Sequence, residues 1–508
     1  MTLRTLARGS ALFMMLTASP LLADVTPEQV WQGWQDAAAA MGNKVSSDSA
    51  ARHGDSLVVK NLQIGEAATG MASFGTIRLK DNGDGTVAVL LPDTYPITLH
   101  LPPQTSDPKG TATDLSFDVS MPGAKIIASG TPEAVRYATD APVLDLKLGN
   151  INGVLASAMP ISVEVHLAGL SANYGIGSGT DAGKDQNLNE DFSVKTVNFA
   201  VKGKDPKGGS DYDISTSLAD LVGKFAMNLP AGVDTQDMAA ALEKGFSLDG
   251  SFGFGATTFD VNANEAGKLT QITGTTGSAT IALAMNADRI DYSTDTRAVS
   301  LKVVSPDIPL ADASLSYAAA GFQMVMPVAV SDTPADFSLR FNLTDVAPSE
   351  AIWALIDPGK VLKHDPATVV VDAKGKVTLT RSLVADASSL EAGQTDAPGK
   401  LNALDLDQFQ VKAAGADVTA KGSFTFDSSD MTTYQGVPAP TGKIDVKALG
   451  VNALIDTLVK MGVVPQEQAM QGRMMLAMFA NTATNADEMT STLEFKDKHF
   501  FANGQQLQ

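Results

Sequence analysis

Phe337-Ser338-Leu339-Arg340-Phe341-Asn342-Leu343 decides the fold class. Every second residue is large and apolar, and the residues between are polar. In a β-strand successive side chains point to opposite faces, so this run builds one apolar and one polar face. The same period recurs in Leu115-Phe117-Val119-Met121, Leu144-Leu146-Leu148, Val197-Phe199-Val201 and Leu493-Phe495. Continuous apolar runs of the kind that form parallel strands are missing, so antiparallel pairing is expected, with one dry and one wet face. The expected fold is mainly β: an extended, curved antiparallel sheet of many strands with a few short α-helices.

Turn chemistry supports this. Asn82-Gly83-Asp84-Gly85 lies between two apolar runs and reads as a hairpin, as does Asn503-Gly504. Lys374-Gly375-Lys376 divides Val369–Val371 from Val377–Leu379 and reads as a turn. Residues 171–191, rich in Gly, Ser, Asn and Asp, read as a long surface loop. Helices are expected at about 27–41, opened by Thr26-Pro27-Glu28, and near 217–227, 348–355 and 451–479. Phe252, Phe254 and Phe259, spaced by Gly253 and Gly255, mark a place for a strand to bend. The expected organisation is a signal peptide over 1–23, the N-terminal part of an elongated β unit over 24–205, and its C-terminal part over 206–508.

The compartment follows from the first residues and the composition. Arg4 and Arg8 precede an apolar run that ends at Leu21-Leu22-Ala23, the pattern of a cleavable secretory signal. The run is short of the ~20 residues of a bilayer span, and no other stretch supplies one, so no transmembrane span is expected after cleavage. An outer-membrane barrel needs aromatic girdles, and 7 Tyr and 3 Trp in 508 residues supply them poorly. There is no Cys, hence no disulfide, thiolate metal site or lipidated cysteine. With 37 basic against 57 acidic residues, nucleic acid is excluded as a partner class. The expectation is an acidic, exported protein of the Gram-negative periplasm.

No catalytic constellation stands out, and neither a cofactor nor a metal is expected. His53, His100, His166, His364 and His499 are never three or four residues apart, so no helical metal pair exists. Gly175-Ile176-Gly177-Ser178-Gly179 lacks the Gly-Lys-Ser/Thr ending of a phosphate loop. Asp81–Asp84 lacks the length of a calcium loop, and Asp181, Asp185, Glu190 and Asp191 read as a solvated charge run. The apolar residues say more. Met470, Met474, Met475 and Met478 make a Met-rich helix, and methionine suits surfaces that accept varied apolar shapes. Phe254, Phe337, Leu339 and Phe341, with Met474 and Met478 as a flexible lip, are the candidate lining of an apolar groove.

Four groups of residues resemble the domain-of-unknown-function 2125 family. They are Asp24–Trp31; Asn82–Val87 with Leu91-Pro92; Pro348–Trp353 with Ile356-Asp357-Pro358 and Asp365-Pro366-Ala367; and Gln468–Met470 with Met474–Leu476 and Asn503–Gln505. The resemblance carries no catalytic residues. It implies a place in the AsmA-like group of envelope proteins, with curved antiparallel sheets that have an apolar inner face, some of them linked to phospholipid movement. Those relatives commonly keep an N-terminal membrane helix, whereas this chain carries a cleavable signal. A non-catalytic binding module is therefore expected, holding phospholipid, fatty acid or another amphiphile in an apolar β-groove. The alternative is a structural or protein-interaction component of the envelope, with a closed core and no ligand.

Overall fold

The computed structural model describes residues 24–40, 44–66, 70–101, 113–158, 160–178, 186–204, 209–233, 237–308, 310, 313–384, 398–482 and 487–507. The signal segment 1–23 lies outside them, as do Asp181 and Asp185. Strands dominate and pair antiparallel, so the fold is mainly β with a few short helices. The chain divides into two compact units: Met1–Val233 with Leu248–Thr273, and Asp234–Ser247 with Gly274–Gln508.

In the first unit the sheet forks. Strand Ala134–Ile151 pairs along one edge with Ile161–Ser178. Along its other edge, its first half pairs with Lys125–Thr131 and its second half with Thr113–Ser120. The first branch continues to Val87–Leu90, Ile77–Asp81 and Ser56–Lys60. The second continues to Thr94–Leu101, Gly70–Phe74 and Leu62–Glu66. Helix Pro27–Ala40 packs into the core that both branches share. Its Val30, Trp34 and Ala38 are buried with Val59, Leu79, Val87, Ile64 and Tyr137. Thr26 and Gln29 start the helix with a capping box: the Gln29 N–H donates to Thr26 Oγ1 at 3.3 Å, and the Thr26 N–H to Gln29 Oε1 at 2.8 Å.

The structure corrects four expectations here. Ser217–Met227 is not a helix but part of strand Ser210–Leu229. Leu218 and Leu221 are three apart, which imitates a helical period. Asp220 between them has φ 51°, and this left-handed residue interrupts the alternation while the register with the next strand holds, Leu218 opposite Val197 and Leu221 opposite Val194, two valines of one apolar cluster. Their neighbours Val197 and Val194 show the same spacing, as do Leu167 and Leu170 around Gly169 at φ 64°. Residues 171–191 are not a loop throughout: Gly175–Ser178 close strand Ile161–Ser178 and pair with Asn189–Gln186. The division at 205/206 falls in the connection between two paired strands of the first unit, Lys204 opposite Asp211. Lys374-Gly375-Lys376 is no turn, because strand Ala367–Leu379 runs straight through it. The hairpins at Asn82–Gly85 and Asn503-Gly504 form as expected.

The second unit is a meander. Strands Ser278–Met285, Arg289–Val304, Ala313–Pro327, Ala335–Pro348, Ala367–Leu379, Gly399–Ala413, Ala416–Asp427, Ala439–Leu449 and Glu488–Lys496 each pair with the next. Helix Glu350–Ile356 is inserted after the fourth, and helices Val451–Lys460 and Gln466–Phe479 after the eighth. The Asp487 carboxylate caps the first of that pair, accepting from the N–H groups of Asn452 and Ala453 at 3.1 and 2.7 Å. A short helix Met238–Glu243, which the sequence reading did not anticipate, is capped by Asp237.

Two local features generate predictions. A Cβ on Gly375 would lie 2.1 Å from Ala403 O and 2.8 Å from the Phe337 ring, which covers the glycine. Gly375→Ala is expected to lower stability by about 1–3 kcal/mol. Gly472→Ala, in open space on helix Gln466–Phe479, is expected to raise it by about 1 kcal/mol. Denaturant unfolding of both variants checks the pair.

Glu190 lies opposite Tyr174 and Phe225, on a strand whose Leu188 and Phe192 serve two different apolar clusters. Burial, and then the Asp191 charge beside it, push its carboxyl up to about 7. The folded state therefore holds this proton when the unfolded chain has lost it. Its contribution to stability falls as pH rises from the ordinary glutamate value of about 4.3 toward 7. Glu190→Gln should flatten that slope in unfolding curves collected across the range; an unchanged slope would show that Glu190 titrates normally.

Candidate apolar binding face

Strand register places the apolar residues of the second unit in rows across its sheet. Phe322, Phe341, Val371, Phe409 and Ala420 are successive partners. Met324, Leu339, Ala373 and Leu406 form the adjacent row. The Tyr292 ring lies 6.1 Å from that of Phe322, which joins the rows. A third row runs Phe337, Gly375, Leu404, Phe424, Gly442, Phe495 and Phe500. Its end is an aromatic group: Phe495 is 4.9 Å from Phe500 and 5.6 Å from Tyr434, and Phe479 closes on Phe500 at 6.5 Å.

One irregularity keeps the face continuous. The register slips between Leu406 and Phe409, where Asp407 and Gln408 form a bulge. The extra residue brings Leu406 and Phe409 to the same side of the sheet.

The opposite face is charged. Arg340 pairs with Asp372 at 3.7 Å, Lys376 with Asp336 at 2.6 Å, and Lys374 with Asp407 at 2.7 Å. Such exposed pairs contribute little to stability. Their main consequence is to give the sheet a wetted side.

The apolar face is not a closed core. Both buried apolar clusters among the described residues lie in the first unit. Here Leu339 and Phe341 are each 39% exposed, and their neighbours are half-buried. The expected dry face is thus partly wet. Helices Glu350–Ile356 and Val451–Lys460 bury none of their residues, and helix Gln466–Phe479 buries only Ala469.

Of the residues singled out from sequence, Phe337, Leu339 and Phe341 stand together on this face. Met474 and Met478 project from helix Gln466–Phe479 at 67% and 63% exposure, beside Met470 and Met475, which are equally open. Phe479, at the end of that helix, reaches the aromatic end of the apolar face. Phe254 belongs to the first unit, where Phe252 stands between it and Phe192 in a separate aromatic group. The reading missed Phe322, Phe409 and Phe424, and noted Val371 and Phe495 only on their own strands. In Ala313–Pro327, alanines fill the alternate places and mute the pattern.

Among the described residues no group of three or more His, Asp or Glu side chains is arranged to hold a metal ion. His100 and His166 lie opposite Asp114 and Asp145 in neighbouring strands, at 2.7 and 2.6 Å, as satisfied cross-strand pairs. His499 bonds to the Asp497 carbonyl. No described helix is long and apolar enough to cross a membrane.

Residues 255–502 match the model of a family described as an uncharacterized protein conserved in bacteria, DUF2125. Over that segment the chain belongs to the DUF2125 family. The apolar rows lie within the DUF2125 segment, as do Pro348–Ala367 and Gln468–Leu476 of the resemblance. Asp24–Trp31 and Asn82–Pro92 lie before it. No curated protein and no solved structure matches the chain.

If the DUF2125 face is open, truncating it costs less than truncating a core. Leu339→Ala is expected to destabilise by well under the loss for Leu79→Ala, whose side chain is fully buried and should cost about 2–5 kcal/mol. Equal losses in unfolding experiments would mean that Leu339 is packed like a core residue.

Proposed function

We propose that this chain is an exported, non-catalytic binding protein of the periplasm, and that the apolar face of its second unit holds the acyl chain of a phospholipid or fatty acid. The observation that carries the reading is the Phe322–Phe341–Val371–Phe409 row, extended across four strands yet left half-exposed. Contiguous apolar surface beyond a few hundred Å2 on a soluble protein marks a ligand or partner site. An acyl chain laid on such a face gains about 0.8 kcal/mol per buried CH2 and needs no directional partner. That suits a site with rows of Phe, Leu and Val. The net charge of −20 keeps the protein from settling on anionic membranes.

A second reading has its own observation. Met470, Met474 and Met478 are four residues apart on one side of their helix and are all exposed. Such a stripe also fits a protein partner in the envelope.

The test is detergent-free release of the protein from its native host, purification, solvent extraction and mass spectrometry against a mock preparation. Bound phospholipid or fatty acid near one per chain is expected, and it should be lost in Phe341→Asp and Phe409→Asp but kept in Arg340→Ser. A folded, monodisperse protein with no lipid would overturn the acyl-chain reading and favour the protein partner.

A further inference from the structure

The segment 349–366 contains a side-chain knot separate from the apolar face. The His364 ring stacks on the Trp353 indole, with centroids 4.3 Å apart and planes 4° from parallel. Its Nδ1 lies 2.8 Å from Glu350 Oε1 and its Nε2 lies 3.4 Å from Asp357 Oδ2. Both ring nitrogens thus face carboxylates. The Asp357 side chain is 1% exposed; its Oδ2 also accepts from the Leu362 N–H at 2.7 Å, while its Oδ1 has no partner.

We propose that Glu350, His364 and Asp357 form a proton-operated latch that fixes helix Glu350–Ile356 to the loop after it, closed when His364 is an imidazolium and released when it is neutral. A neutral imidazole has one N–H and one lone pair. It can donate to Glu350 or to Asp357, and its other nitrogen then turns a lone pair toward a carboxylate. The shorter bond to Glu350 is the one to survive. Asp357 would then be a buried anion held by backbone N–H alone, which is strongly unfavourable.

The helix depends on this tie. It has seven residues, and only Ala351, Ile352 and Trp353 are even half-buried. Helices this short do not persist by themselves. Its start is fixed by the Ser349 N–H donating to Ser314 O at 2.8 Å, and its end by the latch. Leu355 and Ile356, 67% and 57% exposed, sit at that end and move with it.

The charged groups facing the ring are Glu350 on the helix and Asp357 just beyond it. Lys360, 3.6 Å from Glu350, is the neighbouring cation. The hydrogen bond to Glu350 raises the His364 pKa against the opposing effect of burial, and Asp357 adds to the rise. Burial alone would raise Asp357, but the N–H groups of Leu362 and Val361, with His364, hold it below the usual carboxylate range. The latch is therefore fully closed below the ordinary histidine value of about 6.5 and opens as pH rises through the elevated one.

The test uses the full chain with labelled histidine in an NMR titration, and hydrogen exchange of the 350–366 segment corrected for intrinsic rates. The His364 signal, identified by its loss in His364→Gln, should titrate above the ordinary value. Protection of 350–366 should fall severalfold across that midpoint in the wild type and stay flat in His364→Gln. Should that variant not fold, Glu350→Gln serves: its His364 midpoint should drop and release should move to lower pH. An ordinary midpoint for His364, an unchanged one in Glu350→Gln, or wild-type protection that ignores the midpoint would overturn the latch.

Discussion

A β-sheet satisfies its backbone by pairing, but it cannot bury its own apolar face. Something must be laid over it. In the first unit the sheet forks at Ala134–Ile151, and Val30, Trp34 and Ala38 of the opening helix are buried with residues from both branches. The second unit pairs its strands just as fully, and its first helix buries Ala241 and Leu242, yet the three helices inserted in its meander bury only Ala469 and its Phe and Leu rows remain half-exposed. The functional reading rests on that contrast.

The face is kept continuous against the irregularities of its strands. The bulge at Asp407-Gln408 returns Phe409 to the side of Leu406, and Phe337 fills the gap that Gly375 leaves. Corrections of this kind maintain one surface over many strands. They accompany a charged reverse side, so the sheet is amphipathic across its width.

Much of this was legible in the sequence. Phe337–Leu343 alternates cleanly because its strand is regular, and Thr26-Pro27-Glu28 announces a capped helix. The reading failed where backbone geometry interrupts the period. At Leu218 and Leu221 the left-handed Asp220 produces a spacing that a helix also produces. At Gly375 a glycine taken for a turn is a place for an aromatic ring. Strand Ala313–Pro327 hid its part in the face behind small side chains. The His364 knot was invisible for another reason. Its carboxylates lie seven and fourteen residues away, and only a short helix followed by a tight loop brings them to one ring.

The central claim is that, among the described residues, the apolar rows of the second unit stay open around Leu339 and Phe341. Site-specific photocrosslinking from position 341 tests it most directly, with Phe341 replaced by benzoylphenylalanine, irradiation in intact cells and mass analysis of the product. The account predicts an adduct carrying the mass of a lipid acyl species. A crosslink to another segment of the same chain would contradict it, because the face would then be closed by the protein itself.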